Sequence, residues 1–239
     1  MKNTMTIARR ELRGFFDSPV AYIVVAAFLS IAGWMYFSSF FLIGRADLRP
    51  FFAPSPFSPS MLLVIIAPAV TMRLIAEERK SGTIELLTTL PITDTEVILG
   101  KFIAASGVLL SAIGATFIYA IVVAMVGDLD WGPVLAGYLG LSLFALTLVA
   151  VGLLTSTFTD NQIVAFIFGF IICGALYFIY WLQFFMPQVL APVIEYISVS
   201  FHLDNLARGV VDTRDVLYYL TFIVGALFLA IQSLKRQHA

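Results

Sequence analysis

Charge is what this sequence has least of. Fourteen lysines and arginines and 15 aspartates and glutamates make up 12% of its 239 residues, about half the share usual in a water-soluble domain. So few ionisable groups cannot clothe a folded chain, and much of its surface does not face water. The balance is close to neutral, at a formal net charge of −1, so no basic footprint for nucleic acid is present. Cysteine is nearly missing as well. The single Cys173 lies inside an apolar run, which excludes a disulfide framework and any Cys/His metal spacing.

Catalytic signatures are absent too. There is no HExxH, no GxSxG and no GxxxxGK[ST]; Gly100-Lys101-Phe102 lacks both the upstream glycine and the hydroxyl residue of a phosphate loop. The chain therefore reads as no enzyme, with no cofactor of its own.

What is abundant is apolar sequence, 60% of the residues, with a mean hydropathy of +0.97. Uncharged windows run over 20–44, 50–72, 102–127, 131–159, 161–194 and 216–234, and all the acidic and basic residues lie outside them. A bilayer-crossing helix needs about 20 apolar residues. The expected fold is an all-α integral membrane protein, a single transmembrane domain over 1–239 with six spans near 20–43, 60–76, 100–126, 133–155, 163–185 and 216–234. The first run is too long for a signal peptide and lacks an A-x-A site, so it reads as a retained span. No span carries a charge near its centre, which speaks against an ion- or proton-coupled transporter.

Six spans place both termini on one side. With the termini inside, that side holds Lys2, Arg9, Arg10, Arg13, Arg73, Arg79, Lys80, Lys101, Lys235 and Arg236, leaving only Arg45, Arg49, Arg208 and Arg214 outside. The positive-inside rule favours cytoplasmic termini. Pro19 and Pro133 sit where helices start, Thr159-Asp160-Asn161 offers caps to span five, and Pro68 should kink span two. Ser106, Gly107, Ser111 and Gly114 would let another helix approach span three closely.

Three further segments stand out. Met5, Ala8, Leu12 and Phe15 recur at helical spacing in the N-terminal arm, away from Lys2, Arg9 and Arg13. That describes an amphipathic helix over 3–17 with its apolar face in the lipid, either a topology anchor or a mechanical part. The 77–91 segment holds the densest charge in the chain, from Glu77-Glu78-Arg79-Lys80 to Glu85. Ser81-Gly82 should end one helix, Thr83 cap another and Pro91 close it, with Ile84 and Leu87 on one face. Two turns are not stable alone, so the piece must pack on its own bundle or on a partner. Finally, 186–215 is apolar but broken by Pro187 and Pro192, and reads as an outer re-entrant or interfacial loop. Gly209 offers a C-cap there, and His202 favours hydrogen bonding or pairing over a metal.

The strings Pro68-Ala69-Val70-Thr71-Met72-Arg73 and Ala76-Glu77-Glu78-Arg79-Lys80-Ser81-Gly82-Thr83-Ile84-Glu85-Leu86-Leu87, followed by Pro91 and Gly100-Lys101-Phe102, resemble the permease subunits of type-2 ABC exporters. They are similar in particular to the bacterial gliding-motility-associated subgroup, as is Arg208-Gly209-Val210-Val211-Asp212 with Asp215-Val216-Leu217-Tyr218. The resemblance spans essentially the whole chain. It implies a permease in the bacterial cytoplasmic membrane, paired with a second copy or a paralogue. Two ATP-binding subunits would carry ATP and Mg2+, and an extracytoplasmic accessory protein is a further partner such a complex can have. It further implies a connecting helix bearing Arg9, Arg10, Glu11 and Arg13, and a coupling helix bearing Glu77, Glu78, Arg79, Gly82, Thr83, Glu85, Leu86 and Leu87. Leu86 and Leu87 would seat that helix, and Glu77, Glu78 and Glu85 would pair with Arg9, Arg10 or Arg13. An ATPase-independent transporter or channel, an intramembrane enzyme and a membrane scaffold remain the alternatives. The substrate is not written in these residues.

Overall fold

The computed structural model describes residues 2–82, 92–182, 185 and 191–238, and all regular elements among them are α-helices. Among the described residues, six helical segments are long and apolar enough to cross a bilayer, at Pro19–Phe41, Pro59–Lys80, Asp94–Val126, Trp131–Ser156, Gln162–Leu182 and Thr213–Arg236. The protein is an integral membrane protein of six spans.

Helix starts follow their local chemistry. After α1 (Lys2–Asp17), Pro19 sits at the first position of α2 (Pro19–Ile43), the first span, where its missing N–H costs nothing. Gly44 closes α2 in the left-handed region at φ 64°. The short α3 (Arg49–Phe52) precedes span two, which is built from α4 (Pro59–Thr71) and α5 (Arg73–Lys80). The interruption at Met72 falls one turn after Pro68, which supplies no N–H to the helical ladder. Span three begins with a complete capping box, in which Thr93 and Glu96 serve each other's backbone N–H. It divides into α6 (Asp94–Ala115) and α7 (Phe117–Val126) at Thr116, whose hydroxyl donates back to the Ile113 carbonyl at 2.6 Å.

Span four, α8 (Trp131–Ser156), is the central post. Its most apolar window is 72% buried, against 22% for α9 (Gln162–Leu182), which lies at the outside of the bundle. Helices α4, α6, α9 and α12 (Thr213–His238) all pack on α8. Glycines make that crowding possible. A Cβ on Gly140 would stand 2.7 Å from Leu206, and one on Gly152 would stand 2.2 Å from the Thr71 hydroxyl. Between spans five and six, the stretch expected as an outer re-entrant or interfacial loop contains α10 (Ala191–Ile197) and α11 (Val199–Ala207). Pro192 lies in the first turn of α10 and so does not interrupt it. The hydroxyl of Ser198 caps α11, and Gly209 turns the chain away at φ +90°.

The N-terminal helix departs from the expected arrangement. Ala8 and Phe15 are buried, but their companion is Ile7, and Met5 is 63% exposed. This stripe packs on the protein, chiefly on α6, where the apolar face was expected in lipid. The reason is Gly100, whose absent side chain leaves a notch filled by Ile7; a Cβ there would meet Ile7 Cγ2 at 2.7 Å. Gly107 lies under Leu12 in the same seam, whereas Gly114 faces open space.

Candidate functional site

The capping box fixes where α6 begins, and two turns later it places Lys101 beneath α1. The Lys101 side chain is 1% exposed, and its Nζ lies 2.8 Å from Glu78 Oε1 and 3.3 Å from Glu11 Oε1. A buried ammonium is tolerable only with such partners. Arg10 completes the group, 2.9 Å from Glu11 and 3.8 Å from Glu78. Three elements meet in this cluster: α1 through Arg10 and Glu11, the end of span two through Glu78, and span three through Lys101. Burial works to raise the Glu11 carboxyl, but Lys101 and Arg10 outweigh it and hold the group below the usual carboxylate range. The hydrogen bond to Glu11 in turn raises the Arg10 guanidinium above its ordinary value.

Neighbouring contacts extend the joint. Arg73 lies over the Phe15 ring at 4.5 Å, a cation–π contact between span two and α1. Asn3 donates to Glu96 at 3.3 Å, fastening the start of α1 to the start of α6. Arg79 reaches sideways and donates to the Thr157 carbonyl, 3.1 Å away, at the end of span four. The Thr157 hydroxyl meets Ser233 of span six at 3.0 Å. The stretch Glu77–Arg79 thus stands on the last turns of span two, tied to spans three, four and six. Ser81 then caps the helix by donating to the Glu77 carbonyl, and Gly82 ends it at φ +72°.

Of the expected site residues, the structure brings together Arg10, Glu11 and Glu78, and sets Arg79 beside them. Arg9 and Arg13 are exposed on α1. Glu77 lines the cavity beside the cluster with Arg73 and Lys101. Thr83, Glu85, Leu86, Leu87 and Pro91 lie outside the described residues, as does the second half of the coupling segment. Lys101 is the residue the sequence reading missed: the base that takes Glu78 comes from span three as well as from α1. Its signal was a lysine placed directly before an uncharged run of some two dozen residues, two turns beyond a capping box. At the other end of the bundle, His202 pairs with Asp215 and not with Asp204, which is held by Arg208.

Six apolar helices long enough to cross a bilayer, with an ion-pair cluster joining two of them to α1 at one end, define a polytopic membrane protein. Residues 5–237 match the ABC-2 family transporter protein model, and the chain belongs to that family. No curated protein matches it. It is a permease subunit of an ABC transporter, a component that moves substrate and is not itself catalytic; such permeases usually work with an ATP-binding subunit.

Proposed function

We propose that this permease is the membrane half of an exporter in a bacterial cytoplasmic membrane, with both termini inside, driven by ATP hydrolysed on a separate subunit. One observation carries the reading. Glu78, at the root of the segment expected to couple to the ATPase, is joined by the buried Lys101 to span three and to α1 together. Force on the 77–91 segment would enter the bundle there, and Arg79 would pass it to span four. The proposed complex holds two permease chains and two ATP-binding subunits, with ATP and Mg2+ on the latter. The likeness of 68–87 and 201–218 to gliding-motility-associated permeases supports membership of that subgroup.

Gly82 gives the direct test. Its φ of +72° is closed to proline, whose ring holds φ near −65°. In proteoliposomes holding the permease and its ATP-binding subunit, Gly82→Pro should leave insertion and ATP hydrolysis intact while substrate export fails. Full coupled export by the variant, or export by the permease alone without the ATP-binding subunit, would overturn the proposal.

A further inference from the structure

Far from α1, His202 on α11 and Asp215 in the first turn of α12 are buried, at 6% and 4% exposure. Nδ1 of His202 lies 2.6 Å from Asp215 Oδ1. The other ring nitrogen, Nε2, lies 3.2 Å from the carbonyl oxygen of Tyr196 in the last turn of α10. The carbonyls of a last helical turn have no partner within their own helix. The ring also stacks on Tyr218, with centroids 3.9 Å apart and planes at 26°. Both nitrogens thus face oxygen acceptors. A neutral imidazole has one N–H and can serve only one of them, whereas an imidazolium has two and serves both. Asp215 sits in the first turn of a 26-residue helix, whose dipole favours a negative charge there.

We propose that His202 is a proton-operated latch, which when protonated holds the end of α10 to α11 and α12, and when deprotonated keeps Asp215 and releases the Tyr196 carbonyl. The choice of proton follows from the two bonds. The Nδ1–H bond is short and charge-assisted, and such bonds are about twice as strong as neutral ones. The Nε2–H bond is longer and ends on a neutral carbonyl of a residue that is 74% exposed. Raising the pH therefore sends the Nε2 proton to water and leaves a lone pair facing the carbonyl oxygen. Acid sets the latch and alkali frees it.

Besides Asp215, the ionisable groups that the surrounding elements carry at this end of the bundle are of other types. On α10 they are Glu195 and the Tyr196 phenol, and on α11 Asp204 with its partner Arg208. On α12 they are Arg214 and the phenols of Tyr218 and Tyr219, which donate to the Ile197 and Val199 carbonyls. Helix α9 presents Tyr177 and Tyr180, α8 presents Tyr138, and α3 presents Arg49, which is engaged with Asp130. Among these residue types only histidine ordinarily changes charge between about pH 5 and 8. The latch does not depend on the proposed ATP-driven function.

The chain has two histidines, His202 and His238, so nitrogen-15 histidine NMR of the whole protein in lipid nanodiscs reads the ring directly. Comparison with His202→Gln assigns the signals. In acid, both His202 nitrogens should carry protons; in alkali, only Nδ1 should. Spin labels at the exposed positions Val193 and Leu217, in a Cys173→Ala background, should move to longer separations as the pH rises, and should not respond in His202→Gln. A neutral form protonated on Nε2, an unchanged separation across the titration, or a pH response that survives His202→Gln would each overturn the latch. His238→Gln assigns the signals equally well, so a folding defect in His202→Gln leaves the tautomer test standing.

Discussion

Lys101 concentrates the chemistry of the joint in one side chain. A lysine at 1% exposure has lost its hydration, and Glu78 and Glu11 replace it. Removing one member of such a group leaves buried charge uncompensated, which typically costs about 3–5 kcal/mol. Lys101→Met should therefore lower stability by about that amount in equilibrium unfolding from mixed micelles. Combining it with Glu11→Gln and Glu78→Gln should restore a large part of the loss, because no buried charge of the cluster remains and Arg10, left unpaired, is exposed to water. A triple variant less stable than the single one would show that the lysine acts by other means. Glu11 adds a pH dependence of known sign. Its folded pKa is lowered, so its contribution is full above the ordinary carboxylate pKa of about 4.3 and is lost as pH falls through the lowered value. A spin label at Met5 should gain mobility in that acid range, and Glu11→Gln should remove the part of the transition due to this group.

Helix α1 shows how a glycine decides where an element goes. Its hydrophobic spacing is equally compatible with a bilayer surface and with a protein groove, and Gly100 settles the matter by admitting Ile7. Gly100→Leu should fill the notch, push α1 off α6 and cost about 1–3 kcal/mol, the usual penalty for overpacking. Trypsin would read the change, since cleavage at Arg9, Arg10 and Arg13 should become faster while the spans stay intact. Unchanged proteolysis would mean that α1 is held by its ion pairs alone. The spans themselves were legible, because an apolar run of bilayer length records its own environment. The seam of α1 was not, since a glycine in an apolar helix does not say which neighbour uses the gap. Lys101 was hidden for a similar reason. A lysine at a span's edge reads as an interfacial anchor until the fold lays two carboxylates beside it. His202 shows the limit of local spacing, because its partner Asp215 stands 13 residues away on another helix.

Across the whole molecule, span four connects two polar ends. Its 26 residues extend about 39 Å. One end packs under α11, next to the His202–Asp215 pair, and the other offers its Thr157 carbonyl to Arg79. Between these ends the contacts are apolar and close-packed, so a displacement at one end is passed on by rigid helices and not by a chain of charges. In the proposed coupling, Arg79 would be the link by which span two moves span four, and Ser233 would bring span six along through Thr157. Arg79→Gln would leave the Lys101 cluster untouched while breaking this sideways link. Single substitutions along a coupling route change it by about 0.5–2 kcal/mol, roughly 2- to 30-fold. In the reconstituted complex, substrate moved per ATP should fall by a factor in that range, with basal ATP hydrolysis and thermal stability near wild type. Lys235→Gln, an exposed change near the end of α12, should leave the ratio unaltered. If Arg79→Gln matches that control, the force reaches span four through the packed α4–α8 contact at Thr71 and Gly152, and the guanidinium serves only to fasten the end of the helix.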